Sequence, residues 1–189
     1  MDLQKLLRKE HSKKQTDRIV NYIGGDRERF AVLVELFFKG EYRITQRAAW
    51  PLSYCVRQHP ELIMPYFKPL LDNLARKDIH IAVIRNTVRL LQDVEIPQKY
   101  QGRVMSTCFD FLQSPDTPIA VKAFSLTILS NLSAVYPEIR GELKLIIEEQ
   151  WEQSTPAFRS RAKKVLREID VDNKKKSGIY SISYKQSIH

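Results

Sequence analysis

Between Ser114 and Pro137 the apolar positions keep helical time. Ile119, Ala120, Ala123, Leu126, Leu129 and Leu132 fall on one face of a helix, with polar residues between them. Asp116 and Thr117, both residue types that cap helix N-termini, precede Pro118, which fits a first helical turn. Pro137 stops the pattern and opens the next one. The spacing predicts a helix with Ala123 and Leu126 buried.

The same unit recurs. Second helices of successive units begin ITQRAAWPL at Ile44, IAVIRNTVRL at Ile81, IAVKAFSLTIL at Ile119 and FRSRAKKVL at Phe158, at offsets of 37, 38 and 39 residues. Each is preceded by a first helix starting after Asp26, Pro60, Pro97 or Pro137. Two helices per period of about forty is the signature of a helical solenoid. Before the array, Leu3, Leu6 and Leu7 predict a short helix ending near His11. Ser12 caps a second helix carrying Ile19, Val20 and Ile23, with Gly24-Gly25 as its stop. Asp26 caps an apolar helix that Gly40 ends. Residues 1–25 form an atypical end unit, as a repeat array needs where no neighbour covers its last apolar face. After Asp170 the pattern changes. A lysine run and a glycine precede Tyr180, Ile182 and Tyr184 alternating with serines, which predicts an extended or mobile basic tail over residues 171–189.

Composition narrows the class. Of 189 residues 43% are hydrophobic and 28% charged, which excludes a wholly disordered chain, and six glycines without an Asn-Gly or Asp-Gly turn disfavour hairpins. The net charge of +9 points to an acidic partner. No apolar run approaches the ~18 residues of a membrane span, and the polar N-terminal stretch lacks a signal-like core, so the expected location is cytoplasmic and no membrane partner is expected. Cys55 and Cys108 sit among apolar residues and read as buried thiols.

The segments YFKPLLDNLARKDIHIAVIRNTVRLL and FDFLQSPDTPIAVKAFSLTILSNL resemble HEAT repeats, and the resemblance extends over roughly residues 26–169. The family places an acidic residue in the turn between paired helices and a basic residue six positions on. Glu41 with Arg47 and Asp116 with Lys122 match; Asp78 meets Ile84 and Thr155 meets Arg161, so two units depart from the pattern. Pro69 matches the proline favoured in a first helix. The resemblance implies an all-α, right-handed α-α superhelix of four to five helical pairs, a single repeat domain over residues 1–170. First helices would line its convex face and second helices its concave one, and Arg47 and Lys122 would bond to the turn acids.

Candidate chemistry lies on the second helices. Arg43, Arg47, Trp50, Tyr54 and Arg57 form one stripe, and Arg85 and Arg89 a shorter one on the next second helix. A basic stripe with interleaved aromatics suits phosphates and bases; a solvated charged face explains it equally. Trp50 adjoins Pro51, which is expected to kink the helix and turn Trp50 toward either the core or the groove, the core being the favoured side. Lys122 belongs to a third second helix. Arg159, Lys163 and Lys164 belong to the last, in a basic end where residues 155–189 hold nine Lys or Arg against three acids. HEAT-like DNA-alkylation glycosylases use tryptophan, aspartate and arginine in a concave groove. Trp50 and Arg89 are counterparts by type alone, and no aspartate lies in the stripes. The histidines show no metal-ligand spacing, and neither a phosphate-cradling loop nor a nucleophilic triad is present. The expected function is therefore a non-enzymatic binding scaffold without cofactor or metal, its concave surface holding a protein or peptide. The alternative is nucleic-acid binding through the basic face and end. The sequence sets no oligomeric state.

Overall fold

Ser12 and Asp26 become the caps their residue types promise. In the computed structural model the Ser12 hydroxyl accepts from the Gln15 amide at 3.1 Å, and the Asp26 carboxylate from the amides of Glu28 and Arg29 at 2.9 and 3.0 Å. The structure describes the backbone of residues 1–76 and 78–185, and the side chains of 1–76 and 78–170. Among the described residues every regular element is helical. The chain divides into two units, residues 1–103 and 104–189.

The first unit holds α1 (Leu3–Lys9), α2 (Lys13–Ile23), α3 (Arg27–Lys39), α4 (Tyr42–Gln58), a 3-10 segment (Pro60–Tyr66), α5 (Phe67–Leu74) and α6 (Ile81–Leu91). It also holds the start of α7 (Gln98–Gln113). Gly24 ends α2 in the left-handed conformation at φ 47°, which glycine adopts without a Cβ clash. Gly40 ends α3 for a different reason. A Cβ there would lie 2.3 Å from the Leu36 carbonyl oxygen and 2.8 Å from Ile44 Cγ2, so the turn into α4 closes only around glycine. Two caps escape the sequence pattern: Asp2 caps α1, and the His80 ring nitrogen accepts from the Ala82 amide at 3.0 Å to start α6. The core is built from α3 against α4 and α5 against α6. Phe30, Leu33 and Phe37 of α3 and Ile44, Ala48 and Leu52 of α4 are buried, as are Ile63, Phe67, Leu70 and Leu71 in the following segment. α1 and α2 pack on α4 as the end unit, burying Leu3, Leu7, Ile19 and Ile23.

The second unit holds the rest of α7, α8 (Ile119–Ser133), a 3-10 turn (Pro137–Ile139), α9 (Arg140–Glu149) and α10 (Pro156–Lys185). Successive second helices lie side by side, α4 against α6 in the first unit and α8 against α10 in the second. That is the stacking of an α-solenoid, in which each repeat covers its neighbour's apolar face.

Three expectations change here. Asp116 and Thr117 do not cap α8; Pro118 takes the cap position with no side-chain bond. The buried face of α8 is also rotated from the expected one. Ile119 and Ala120 are exposed and Ala123 half-buried, while Val121, Ser125, Leu126, Ile128, Leu129 and Leu132 are buried. The cause is that α9 and α10 both pack on α8, so burial spreads over more than one stripe. Third, α10 carries a helical backbone to Lys185, where alternation predicts an extended segment. A lysine run is compatible with helix, no proline follows Pro156, and Gly178 alone costs only about 1 kcal/mol relative to alanine. The side chains beyond Asp170 and the backbone beyond Lys185 lie outside the described residues.

Candidate functional site: an arginine-lined groove

α4 passes through Pro51 as one uninterrupted helix. Its phase is therefore kept. Ile44, Ala48, Leu52 and Cys55 form the core stripe, and Arg43, Arg47, Trp50 and Tyr54 form the stripe beside it. Of the two sides open to Trp50, core and groove, the structure gives the groove. The indole is half-buried on the groove wall, in a T-shaped contact with the His11 ring at a centroid distance of 5.2 Å. Pro51 itself is buried.

α6 packs against α4 and brings Arg85, Asn86 and Arg89 opposite that stripe. The result is a groove of about 740 Å³, walled by Arg43, Arg47, Trp50, Arg85, Asn86 and Arg89, with His11, Gln46, Ala49 and Tyr54 completing it. Its polar groups are mostly donors, and the lining includes no carboxylate. Arg47 is the anchored member, its guanidinium donating to the carbonyls of Leu7 and Arg8 at 2.8 Å each. These are C-terminal carbonyls of α1, which have no partner within their own helix. Arg43, Arg85 and Arg89 form no ion pair among the described residues, and all three are exposed.

The turn acids do not behave as the resemblance implies. Glu41 pairs with Arg8 at 2.8 Å, not with Arg47. Lys122 donates to Gln150 Oε1 at 3.2 Å, not to Asp116, and the Gln150 amide donates to the Leu112 carbonyl at 2.7 Å. Both bases still tie neighbouring elements together, through carbonyl oxygens. Burial pulls the Lys122 ammonium below the ordinary lysine range. Lys122 lies on a second cavity, of about 630 Å³, inside the second unit with Glu149, Gln150 and Phe158.

The remaining predicted residues have local work. Arg57 pairs with Asp93 at 3.0 Å and lies over the Tyr54 ring, whose centroid is also 4.9 Å from the Lys13 ammonium. Arg159 donates twice to the Ser154 carbonyl, Lys163 lies over Trp151, and Lys164 faces Glu168 at 3.8 Å. These three belong to the second unit and not to the groove. Trp50 and Arg89 do share the groove, but the carboxylate a glycosylase would need is not among its lining residues. Asn86 carries no local signal in the sequence, since it sits between Arg85 and Thr87 in a polar stretch of the helix. Among the described residues no group of acids, histidines and cysteines is arranged to hold a metal ion, and no helix is long and apolar enough to cross a membrane.

No curated protein and no solved structure is significantly similar to the chain. A family model described as a HEAT repeat domain matches residues 3–169, which covers the end unit and all four helical pairs, and the chain belongs to the HEAT repeat family.

Proposed function

We propose that this HEAT repeat domain is a non-enzymatic binding module whose working surface is the groove between α4 and α6, and that the part of the partner held there is anionic. HEAT repeats commonly serve as interaction scaffolds, which supports a binding role over a catalytic one. One observation carries the sign of the ligand: three exposed arginines without ion pairs, Arg43, Arg85 and Arg89, share a groove whose lining has no carboxylate. Their mutual repulsion is relieved only by solvent and counter-ions until an anion arrives. The absence of a groove carboxylate supports a binding role. So do the two cysteine thiols, which burial pushes up to about 12 and so keeps out of nucleophilic chemistry.

Retention on an immobilised polyanion such as heparin tests this at ~50 mM salt. The wild type is expected to be retained, and Arg85→Glu with Arg89→Glu to elute at markedly lower salt with its fold intact by circular dichroism. Equal elution of the two proteins would show that the groove is not the binding surface.

A further inference from the structure

Resting on that reading, we infer that the groove takes single-stranded nucleic acid, its phosphates on Arg43, Arg85 and Arg89 and a base against Trp50. Three observations select this ligand among polyanions. The first is the donor excess. Arginine only donates hydrogen bonds, and four of the groove's polar side chains are arginines. An extended peptide brings a main-chain N–H with almost every residue and needs acceptors in return. A phosphodiester backbone brings acceptors alone, which matches a lining of donors.

The second observation is Trp50. An indole half-buried on the wall, in a T-shaped contact with the His11 ring, offers a ring surface on which a base can stack. Tyr54 is less free to play that part, because Lys13 and Arg57 both lie over its ring. Duplex nucleic acid keeps its base faces stacked on one another and has no use for such a platform; a single strand does. The third is Asn86. It lines the groove, it is 8% exposed, and its side-chain nitrogen has no hydrogen-bond partner among the described residues. That nitrogen is sealed from solvent, so a base edge would reach it only after a small side-chain shift, and an amide then suits the mixed donors and acceptors of a base edge better than a phosphate. The volume of about 740 Å³ is that of a site for a short segment, not for a folded surface.

The test is fluorescence anisotropy with labelled single-stranded oligothymidylate and oligouridylate, a duplex of equal length and an acidic peptide of equal charge, across a salt series. The full chain is expected to prefer the single strands. Arg85→Ala and Arg89→Ala should each lower the log–log salt slope by ~0.7, one phosphate contact apiece. Trp50→Ala should weaken single-strand binding by roughly 5- to 150-fold, the worth of one stacked base. Should Trp50→Ala fail to fold, the same point is read from wild-type-like Trp151→Phe protein, in which Trp50 is the sole tryptophan and its emission should be quenched by the single strand. Duplex or peptide bound as tightly as single strands, or an indole indifferent to them, would overturn the single-strand inference while leaving an anionic groove. Loss of all polyanion binding, heparin included, at ~50 mM salt would overturn both.

Discussion

Cys55 and Cys108 show how burial alone sets a side chain's chemistry. Each is about 1–2% exposed, and desolvation pushes both thiols from about 9 to about 12. Because the folded values are the higher ones, the neutral thiols stabilise the fold fully below pH ~9, and that stability is lost as pH rises toward ~12. Urea denaturation is expected to show stability falling above pH ~9, with a shallower fall in Cys55→Ala and Cys108→Ala. A thiol reagent should label either cysteine only on unfolding. Leu126 and Ala123 make a second residue-scale contrast. Leu126 is fully buried in α8 and Leu126→Ala is expected to cost about 2–5 kcal/mol. Ala123, half-buried, should tolerate Ala123→Asp with a smaller loss than that. Denaturation midpoints of the two variants measure the order, and a larger loss at Ala123 would contradict the observed packing.

At the scale of the helix, α4 is the element that makes the groove, and Pro51 is its oddity. An interior proline removes the bond to the Arg47 carbonyl and costs ~3 kcal/mol. Its buried ring returns something: two methylenes more than alanine, about 1.6 kcal/mol at 0.8 each. The penalty is the larger of the two. Pro51→Ala is therefore expected to keep the fold and raise the denaturation midpoint, and a lowered midpoint would mean that ring packing outweighs the helix penalty. The helix phase survives Pro51, so the arginine stripe before it and Tyr54 after it still face one way. α6 needs no such tolerance. It starts on the His80 cap and turns Arg85 and Arg89, one turn apart, to the same side.

For the whole molecule the question is where a net charge of +9 acts. The densest basic sequence is at the C-terminal end, yet Arg159, Lys163 and Lys164 each have a local partner within the second unit. The groove arginines Arg43, Arg85 and Arg89 have none among the described residues. Exposed pairs such as Lys164 with Glu168 are worth at most about 1 kcal/mol, so they do not forbid a role in attraction over distance. The expected division is that Arg159→Ala, Lys163→Ala and Lys164→Ala together slow association with a polyanion at low salt and leave dissociation nearly unchanged. Arg85→Ala with Arg89→Ala is expected to speed dissociation. Stopped-flow kinetics separate the two, and faster dissociation from the C-terminal triple variant would place a contact there.

The periods of about forty, the Ser12 and Asp26 caps and the Gly24 and Gly40 stops were legible because they are local: each depends on a few neighbouring residues and the geometry of one helix turn. The proline starts were legible only in part, since Pro60 and Pro137 open 3-10 segments ahead of α5 and α9. These local signals were enough to determine an all-α repeat of the HEAT family. Of the two readings of the tail, extended or mobile, the extended one differs from the helical backbone that runs from Pro156 to Lys185, because a short alternation of Tyr180, Ile182 and Tyr184 is a weak signal against a helix already under way. What only the tertiary structure decided was partnership. Whether Arg47 met Glu41 or the carbonyls of α1, whether Trp50 faced core or groove, and which arginines kept a free charge all depend on residues tens of positions away. Asn86 became part of a site only when α6 packed on α4, because burial and a missing partner are properties of the assembled core and of no stretch of sequence.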